Sequence, residues 1–215
     1  MHTADDRLFS FNYTSVHQGN ERRLEQHEQL ILNHYLRQFN EESITPRNFA
    51  HCGEPCAIAC KKFVGEYKKD YEPYQALGPN CGIFDQRAGE KINKLVDTLG
   101  ADSIHLGGMI SWLMELIGEG MIDPADFSLP PKDLLHFKFA STTADFDLVT
   151  TSMANAEYAC RLAELIVSAP DGQPFRNGFR PASQWLDKKY GIHSADAAVY
   201  YCNGEQGSMA PNQYW

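Results

Sequence analysis

The sequence lacks any apolar run that approaches the roughly 20 residues a helix needs to cross a bilayer. It also lacks a basic excess, because the net charge is -9, whereas binding to nucleic-acid phosphates requires a basic face. The first residues, MHTADDRLF, carry acids where a secretory signal would carry basic residues and an apolar core. We therefore expect a cytoplasmic protein whose partners include neither nucleic acid nor a membrane.

Cysteine is scarce, with 6 in 215 residues, but Cys52, Cys56 and Cys60 lie at intervals of four. Thiols stay reduced in the cytoplasm, which disfavours a disulfide and favours a metal site. Iron–sulfur clusters and structural zinc normally take four ligands, and this run supplies three. The spacing favours iron–sulfur but leaves zinc and plain redox or inert thiols open. The fourth ligand must come from elsewhere: Cys81, Cys202, His51 or a residue outside this chain.

Apolar residues recur at helical steps in several segments, and we find neither convincing strand alternation nor an internal repeat. These patterns predict a mainly α fold, a multi-helical domain with long connecting loops. Residues 1–20 are predicted to be poorly structured, and residues 21–215 to form a single helical domain. The predicted helices are Glu21 to about Phe39, one beginning at Pro55, Gln86 to Leu99, Met109 to about Glu119, Met153 to Ser168, Gly178 to Tyr190, and Ser194 to Tyr201.

Local signals support individual helices in this set. Pro55 suits a first helical position, which would place Cys56 and Cys60 on one face, one turn apart. Asp85 is a typical N-cap, and Gly100 a typical residue after a helix C-terminus. The helix before Glu119 is apolar almost all round, which predicts that it is buried at the centre of the fold.

Two sets of carboxylates are candidates for chemistry. Asp97 and Asp102 flank Gly100, and carboxylates at such a turn can accept hydrogen bonds from the N–H groups of a bound heterocycle. On sequence grounds alone, a helix C-terminus followed by an N-cap explains this pattern better. Glu72 is a lone carboxylate that could act as a general acid or base. Because Pro73 follows it, we predict that it lies on a strand-like or turn segment.

Several short segments follow one another in a set order: Cys-Gly-Glu-Pro-Cys-Ala-Ile-Ala-Cys at 52–60, Asp-Tyr-Glu-Pro-Tyr at 70–74, Gly78-Pro79-Asn80, Asp97-x-x-Gly100-x-Asp102, Gly107-Gly108, Met114-Glu115-Leu116 and Gly118-Glu119-Gly120. In this order and spacing the chain resembles the tungsten-dependent aldehyde ferredoxin oxidoreductases. Glu41-Glu42-Ser43-Ile44 and the four-residue cysteine spacing are most similar to the glyceraldehyde-phosphate-oxidising branch of that family.

The resemblance implies a role for each set of candidate residues. Cys52, Cys56 and Cys60 would be three of the four ligands of a [4Fe–4S] cluster. Asp97, Gly100 and Asp102 would contact the pterin of a tungsto-bispterin cofactor, and Glu72 would be an acid/base residue beside the tungsten. The implied reaction is oxidation of an aldehyde to a carboxylic acid, with electrons passing through the cluster to ferredoxin.

The sequence also departs from the family pattern. Members are much longer, with an N-terminal β-rich domain that forms the base of the pterin site, and a C-terminal helical domain. The family's fourth cluster cysteine lies in a later Asp-x-x-Gly-x-Cys turn, for which we find no counterpart. We therefore expect this chain to be the middle domain, inactive alone and completed by missing domains or a partner subunit. The alternative is a non-catalytic helical domain that binds an iron–sulfur cluster or structural zinc.

Overall fold

The computed structural model describes residues 10–46, 63–64, 67–137, 147–201 and 205–209. Cys52, Cys56 and Cys60, and with them the helix predicted to begin at Pro55, lie outside the described residues. The described residues are mainly helical, which confirms the predicted fold class. No helix among them has the length and apolar character needed to span a bilayer.

The helices form a bundle around one apolar core. Helix α1 is continuous over 20–44, and the others are α2 (Tyr71–Ala76), α3 (Gln86–Leu99), α4 (Ser103–Gly118), α5 (Leu148–Ser168) and α6 (Phe179–Tyr190). Short 3-10 turns connect them, at Thr14–His17, Pro79–Cys81, Pro124–Phe127, Lys132–Leu134, Pro170–Asn177 and Ser194–Ala197. Two antiparallel strand pairs complete the described fold: β1 (Phe63–Val64) with β2 (Tyr67–Lys68), and β3 (Tyr200–Tyr201) with β4 (Ser208–Met209).

Helix α1 alternates between α-helical and wider π-helical turns. Its segments are Asn20–Gln26, His27–Tyr35, Leu36–Phe39 and Asn40–Ile44. The predicted end near Phe39 is wrong, because the wider turns carry the helix through Asn40. The backbone N–H of Thr45 donates to the carbonyl of Asn40 at 2.8 Å, an i→i−5 bond of the π type.

Helices α3 and α4 hold the centre of the fold. Asp85 caps α3, since its side chain accepts hydrogen bonds from the N–H groups of Arg87 and Ala88, and Gly100 follows α3 with φ of 70°. Both predictions are confirmed. Helix α4 is the buried central helix, as predicted, and Trp112 within it is 0% exposed. It starts at Ser103, earlier than predicted, because Asp102 caps it.

Residues 10–15, for which no regular structure was predicted, pack against the core. Phe11 is 1% exposed, and its N–H donates to the carbonyl of Pro79 at 3.0 Å. Phe11, Asn12 and Tyr13 have φ of 51°, 50° and 67°. Three consecutive non-glycine residues rarely adopt the left-handed region, so no local sequence signal predicts this turn.

The C-terminal half differs from the prediction in two places. Helix α5 begins at Leu148 rather than Met153, because the Asp147 side chain accepts a hydrogen bond from the N–H of Thr150 at 2.9 Å. The helix predicted over Ser194 to Tyr201 is wrong. A 3-10 turn ends at Ala197, and β3 then pairs with β4.

Candidate cofactor site

A cleft of about 210 Å³ opens between the start of α2 and the turn that joins α3 to α4. Its described walls include Lys68, Asp70, Tyr74, Asn93, Asp97 and Asp102. The structure therefore brings the two carboxylates of the glycine turn to the same cleft as the segment around Glu72. The sequence motifs at 70–74 and at 97–102 thus meet in space.

The turn from Asp97 to Asp102 ends one helix and starts the next. The N–H of Gly100 donates to the carbonyl of Asp97 at 3.1 Å, and Oδ1 of Asp102 accepts from the N–H of His105 at 2.6 Å. The helix-terminus interpretation is therefore confirmed as a structural role. It does not exclude ligand binding, because Asp97, Gly100 and Asp102 are all exposed, and a carboxylate oxygen that caps a helix leaves a second one.

Glycine is favoured at position 100 by its backbone conformation rather than by crowding. A Cβ built at Gly100 would meet no atom within 4 Å, but its φ of 70° lies in the left-handed region. The open space over this turn would let a planar ligand approach the backbone closely. The structure thus has an uncrowded glycine turn between two carboxylates.

Glu72 lies in the first turn of α2, so the predicted strand-like or turn position is wrong. The first four N–H groups of a helix have no intrahelical partner, and Pro73 therefore sacrifices no hydrogen bond there. Glu72 is half-buried. Burial, assisted by the nearby Glu72 carboxylate, raises the pKa of Tyr71 to about 12. Among the described residues, Asp70, Pro73 and Tyr74 line the cleft. Glu72 lies between them in the chain but is not itself part of the cleft wall.

One ion pair and one histidine lie at the rim of the cleft. Lys68 forms an ion pair with Asp70 across the segment before α2. On the opposite side, burial lowers the pKa of His105, although the charge of Asp102 opposes this shift. Consistent with a neutral ring, His105 Nδ1 accepts a hydrogen bond from the N–H of Met209 at 3.3 Å. The ring therefore tethers β4 to the start of α4.

The chemistry of these walls fits one side of a pterin site. A pterin presents ring N–H groups, and carboxylates such as Asp97 and Asp102 can accept hydrogen bonds from them. The cleft volume of about 210 Å³ is smaller than the roughly 300–1,000 Å³ typical of a complete small-molecule site. The described residues are thus suited to contact part of a large cofactor rather than enclose it.

The two cysteines that the structure describes have the environment of inert core residues. The Cys81 thiol is 0% exposed and donates to the carbonyl of Ala76 at 3.3 Å, and burial raises its pKa well above the usual range. Burial likewise raises the pKa of Cys160 to about 11. Enclosed cysteines that donate to core backbone are usually structural and inert. Cys81 is therefore disfavoured as the fourth ligand, and Cys202 and His51 lie outside the described residues.

No group of three potential metal-ligating side chains occurs within the part of the chain that the structure describes. The predicted ligands Cys52, Cys56 and Cys60 fall outside that part, so their assignment stays a prediction.

Sequence reasoning missed Lys69, which stands next to the cleft. Its side chain is 0% exposed and ion-paired with Glu42 and Glu90. Flanked by Lys68 and Asp70, it resembles part of a solvated charged stretch. Its partners are distant in sequence, so no local pattern indicates burial.

The chain is thus a mainly helical domain whose cleft lies at an interhelical glycine turn. A family model described as aldehyde ferredoxin oxidoreductase, domains 2 and 3, matches residues 11–201. The match covers most of the chain. The chain therefore belongs to the aldehyde ferredoxin oxidoreductase family, which confirms the resemblance found in the sequence.

The relatives of this chain match different shares of its length. The glyceraldehyde-3-phosphate:ferredoxin oxidoreductase of Pyrococcus furiosus is 36% identical over 91% of this chain and 30% of its own length. An uncharacterized protein of Methanocaldococcus jannaschii is 34% identical over 86% of this chain and 31% of its own length. A tungsten-containing aldehyde ferredoxin oxidoreductase of Pyrococcus horikoshii is 34% identical over 40% of this chain. The chain spans less than a third of the first two relatives. No solved structure gives a significant match.

Proposed function

We propose that this chain is the cluster-bearing and pterin-contacting part of an oxidoreductase that converts an aldehyde to a carboxylic acid. The observation that carries the proposal is the shared cleft, in which Asp97 and Asp102 face the segment that bears Glu72. Family membership supports the same assignment, because the family model and several of the matching relatives are named as ferredoxin oxidoreductases.

The proposed reaction joins one aldehyde and one water to give a carboxylic acid, two protons and two electrons. When bound, the tungsto-bispterin would take up the electron pair, and the [4Fe–4S] cluster would pass the electrons singly to ferredoxin. The Glu72 carboxylate would take a proton from the water oxygen as a C–O bond forms at the carbonyl carbon, and the aldehyde C–H bond would break to release the second proton and the electron pair. Asp97 and Asp102 would orient the pterin by accepting hydrogen bonds from its N–H groups. The backbone at Gly100 would let the pterin ring approach closely.

Three thiolates, from Cys52, Cys56 and Cys60, would hold the cluster. The fourth ligand and the rest of the pterin site would come from missing domains or a partner subunit, since the chain spans 30% of its glyceraldehyde-phosphate-oxidising relative. The isolated chain would then be inactive. The proposal also places the chain in the cytoplasm, where thiolate ligands stay reduced.

The substrate class can be narrowed by the relatives. The one that covers 91% of this chain is named for glyceraldehyde 3-phosphate, whereas the aldehyde enzyme from Pyrococcus horikoshii covers 40%. Glyceraldehyde 3-phosphate is accordingly the first aldehyde to assay.

Metal analysis of the protein, purified without oxygen in its native assembly, tests the assignment. Tungsten together with about four irons per chain is expected, as a [4Fe–4S] cluster requires. Zinc alone would refute the redox function and support the non-catalytic alternative. That alternative, a helical domain that binds a cluster or zinc without turnover, is the second candidate.

The role of Glu72 needs its own variant. Glu72→Gln in the assembled enzyme should lower kcat by about 100-fold or more, the range for loss of a general base. Glu157→Gln is the matched control, because Glu157 is 55% exposed and lies on α5. Equal activity of the Glu72→Gln enzyme and the control would remove Glu72 from the mechanism.

A further inference from the structure

Lys69 carries a charge into the interior at the edge of the cofactor cleft. Its side chain is 0% exposed, and Nζ lies 3.1 Å from Oε2 of Glu42 and 3.0 Å from Oε1 of Glu90. A buried ammonium is strongly unfavourable unless it is paired and hydrogen-bonded. The two carboxylates therefore fix where this side chain, and the backbone that bears it, can sit.

The pairing joins three elements that are separate in sequence. Glu42 lies in the last π-helical segment of α1, and Glu90 lies on α3. Lys69 lies between β2 and α2, and its Nζ also stands 5.0 Å from the ring centroid of Tyr74 in α2. Such a placement over an aromatic face adds a favourable cation–π contact.

Arg87 completes the charge balance of this cluster. Its guanidinium contacts Glu42, and its Nη2 lies 3.2 Å from Oε1 of Glu90. Two cations thus meet two anions, but the exposures differ, because Arg87 is 50% exposed and Lys69 is 0% exposed. The solvent-screened Arg87 pairs are worth less than the enclosed Lys69 pairs. Substitution of Lys69 should therefore weaken this cluster more than substitution of Arg87.

The geometry connects the two halves of the proposed site. Asp70 and Tyr74, which flank Glu72, line the cleft directly after Lys69 in the chain. Glu90 and Asp97 lie on the same helix, α3, seven residues apart. Seven helical residues span about 10 Å, so the two side chains are held at a fixed separation along the helix axis. A bond from Lys69 to Glu90 consequently couples the Glu72 segment to the helix that ends in the pterin turn.

We propose that Lys69 is a positioning residue, which locks the Glu72-bearing start of α2 against α3 and so sets the distance between the acid/base carboxylate and the pterin turn. This inference rests on the proposed function for the roles of Glu72 and Asp97. The mechanical link itself can be tested without any cofactor.

Hydrogen exchange on the full chain tests the link. Lys69→Met should speed exchange of the amides in 70–78 by about tenfold or more, because the start of α2 opens more often, while amides in α4 and α5 change by less than about twofold. Lys91→Met is the matched control, since Lys91 lies on α3 but is 42% exposed in its ion pair with Glu157. Lys69→Arg, which keeps the charge, should retain more of the protection than Lys69→Met does.

Two exchange results would overturn the proposal. In one, Lys69→Met leaves the amides of 70–78 as protected as in the wild type. In the other, all amides are accelerated equally, which would make Lys69 a contributor to global stability only. If Lys69→Met does not fold, Glu42→Gln replaces it, because Glu42 is 30% exposed and Glu90 remains to pair with Lys69. This variant should give a smaller acceleration confined to 70–78, and unchanged exchange there would again overturn the link.

The assembled enzyme provides the second readout. Lys69→Met should lower kcat about tenfold or more with little change in KM, as expected when a catalytic group is misplaced after substrate is bound. A rise in KM alone, with kcat unchanged, would contradict a positioning role. If the wild type contains neither tungsten nor iron, the proposed function fails, and the exchange result still decides whether Lys69 couples α2 to α3.

Discussion

Asp85 caps α3 with one carboxylate oxygen and binds α1 with the other. A single substitution there should therefore distinguish the contribution of the cap to stability from that of the contact with α1. Its Oδ1 accepts hydrogen bonds from the N–H groups of Arg87 at 2.9 Å and Ala88 at 3.4 Å. Its Oδ2 accepts from His34 Nε2 at 2.9 Å and Gln38 Nε2 at 3.0 Å, both on α1. Asp85→Asn keeps the shape and the capping oxygen, but it places an N–H₂ group opposite the donors on α1.

The expected cost follows from these contacts. Capping by asparagine is nearly as good as by aspartate, so the α3 end should lose little. The two bonds to Oδ2 are made to a carboxylate that is 5% exposed, and hydrogen bonds to charged groups contribute about 1.5–3 kcal/mol each. Because His34 can change its tautomer and recover part of one bond, we expect Asp85→Asn to lose about 2–4 kcal/mol of unfolding free energy.

Urea unfolding of the two proteins at pH 7 measures this loss, with Asp123→Asn as the matched control. Asp123 is an exposed cap that accepts from the N–H of Ala125 at 2.9 Å, so its substitution should stay within about 0.5 kcal/mol. An Asp85→Asn protein as stable as the control would refute the claim that Asp85 docks α1 on α3.

The pH dependence of Asp85 has a defined sign. Burial of the carboxyl opposes ionisation, but the hydrogen bonds from His34, Gln38 and two backbone N–H groups outweigh it, and the pKa falls below the usual 3.8. A lowered folded-state pKa contributes stability that is complete above 3.8 and is lost as pH falls through the folded value. The difference between wild type and Asp85→Asn should therefore shrink below about pH 4.

Three further substitutions have defined outcomes. A Cβ at Gly78 would collide with a backbone carbonyl and a tyrosine hydroxyl, so Gly78→Ala should lower the unfolding free energy by about 2 kcal/mol or more. Gly100→Ala, which meets no neighbour, should cost only about 1 kcal/mol, for its positive φ. An equal loss in both urea titrations would refute the steric argument. Burial raises the pKa of Glu115, and the nearby charge of Glu119 raises it further, although a hydrogen bond from Asn12 partly lowers it. A raised folded-state pKa costs stability as pH rises through it, so Glu115→Gln should raise the melting temperature at about pH 8 but not at about pH 4.

The parts of the fold that could be predicted from the sequence are those with local causes. Helix α3 has an aspartate cap and a left-handed glycine at its two ends, and α4 has an apolar surface almost all round. The turn from Asp97 to Asp102 can be predicted from the sequence as a helix end followed by a cap, because both signals lie within six residues. Local rules of this kind need no knowledge of the tertiary structure.

The remaining features depend on partners far away in the chain. Lys69 is buried by Glu42, which is 27 residues away, and by Glu90, which is 21 residues away. The left-handed turn at Phe11 is stabilised by backbone bonds to 79–80. Tertiary contacts decide both of these cases. The helical position of Glu72 has a local cause instead: Pro73 disfavours a helical conformation for the residue before it, but the first turn of a helix tolerates proline.

Iron content of the protein, purified without oxygen in its native assembly, tests the central claim most directly when wild type is compared with Cys56→Ser and Cys160→Ser. Wild type and Cys160→Ser should both contain about four irons per chain, since Cys160 is a buried thiol on α5 with its pKa raised to about 11. Cys56→Ser should lose most of this iron. A Cys56→Ser protein with the wild-type iron content would contradict the cluster assignment.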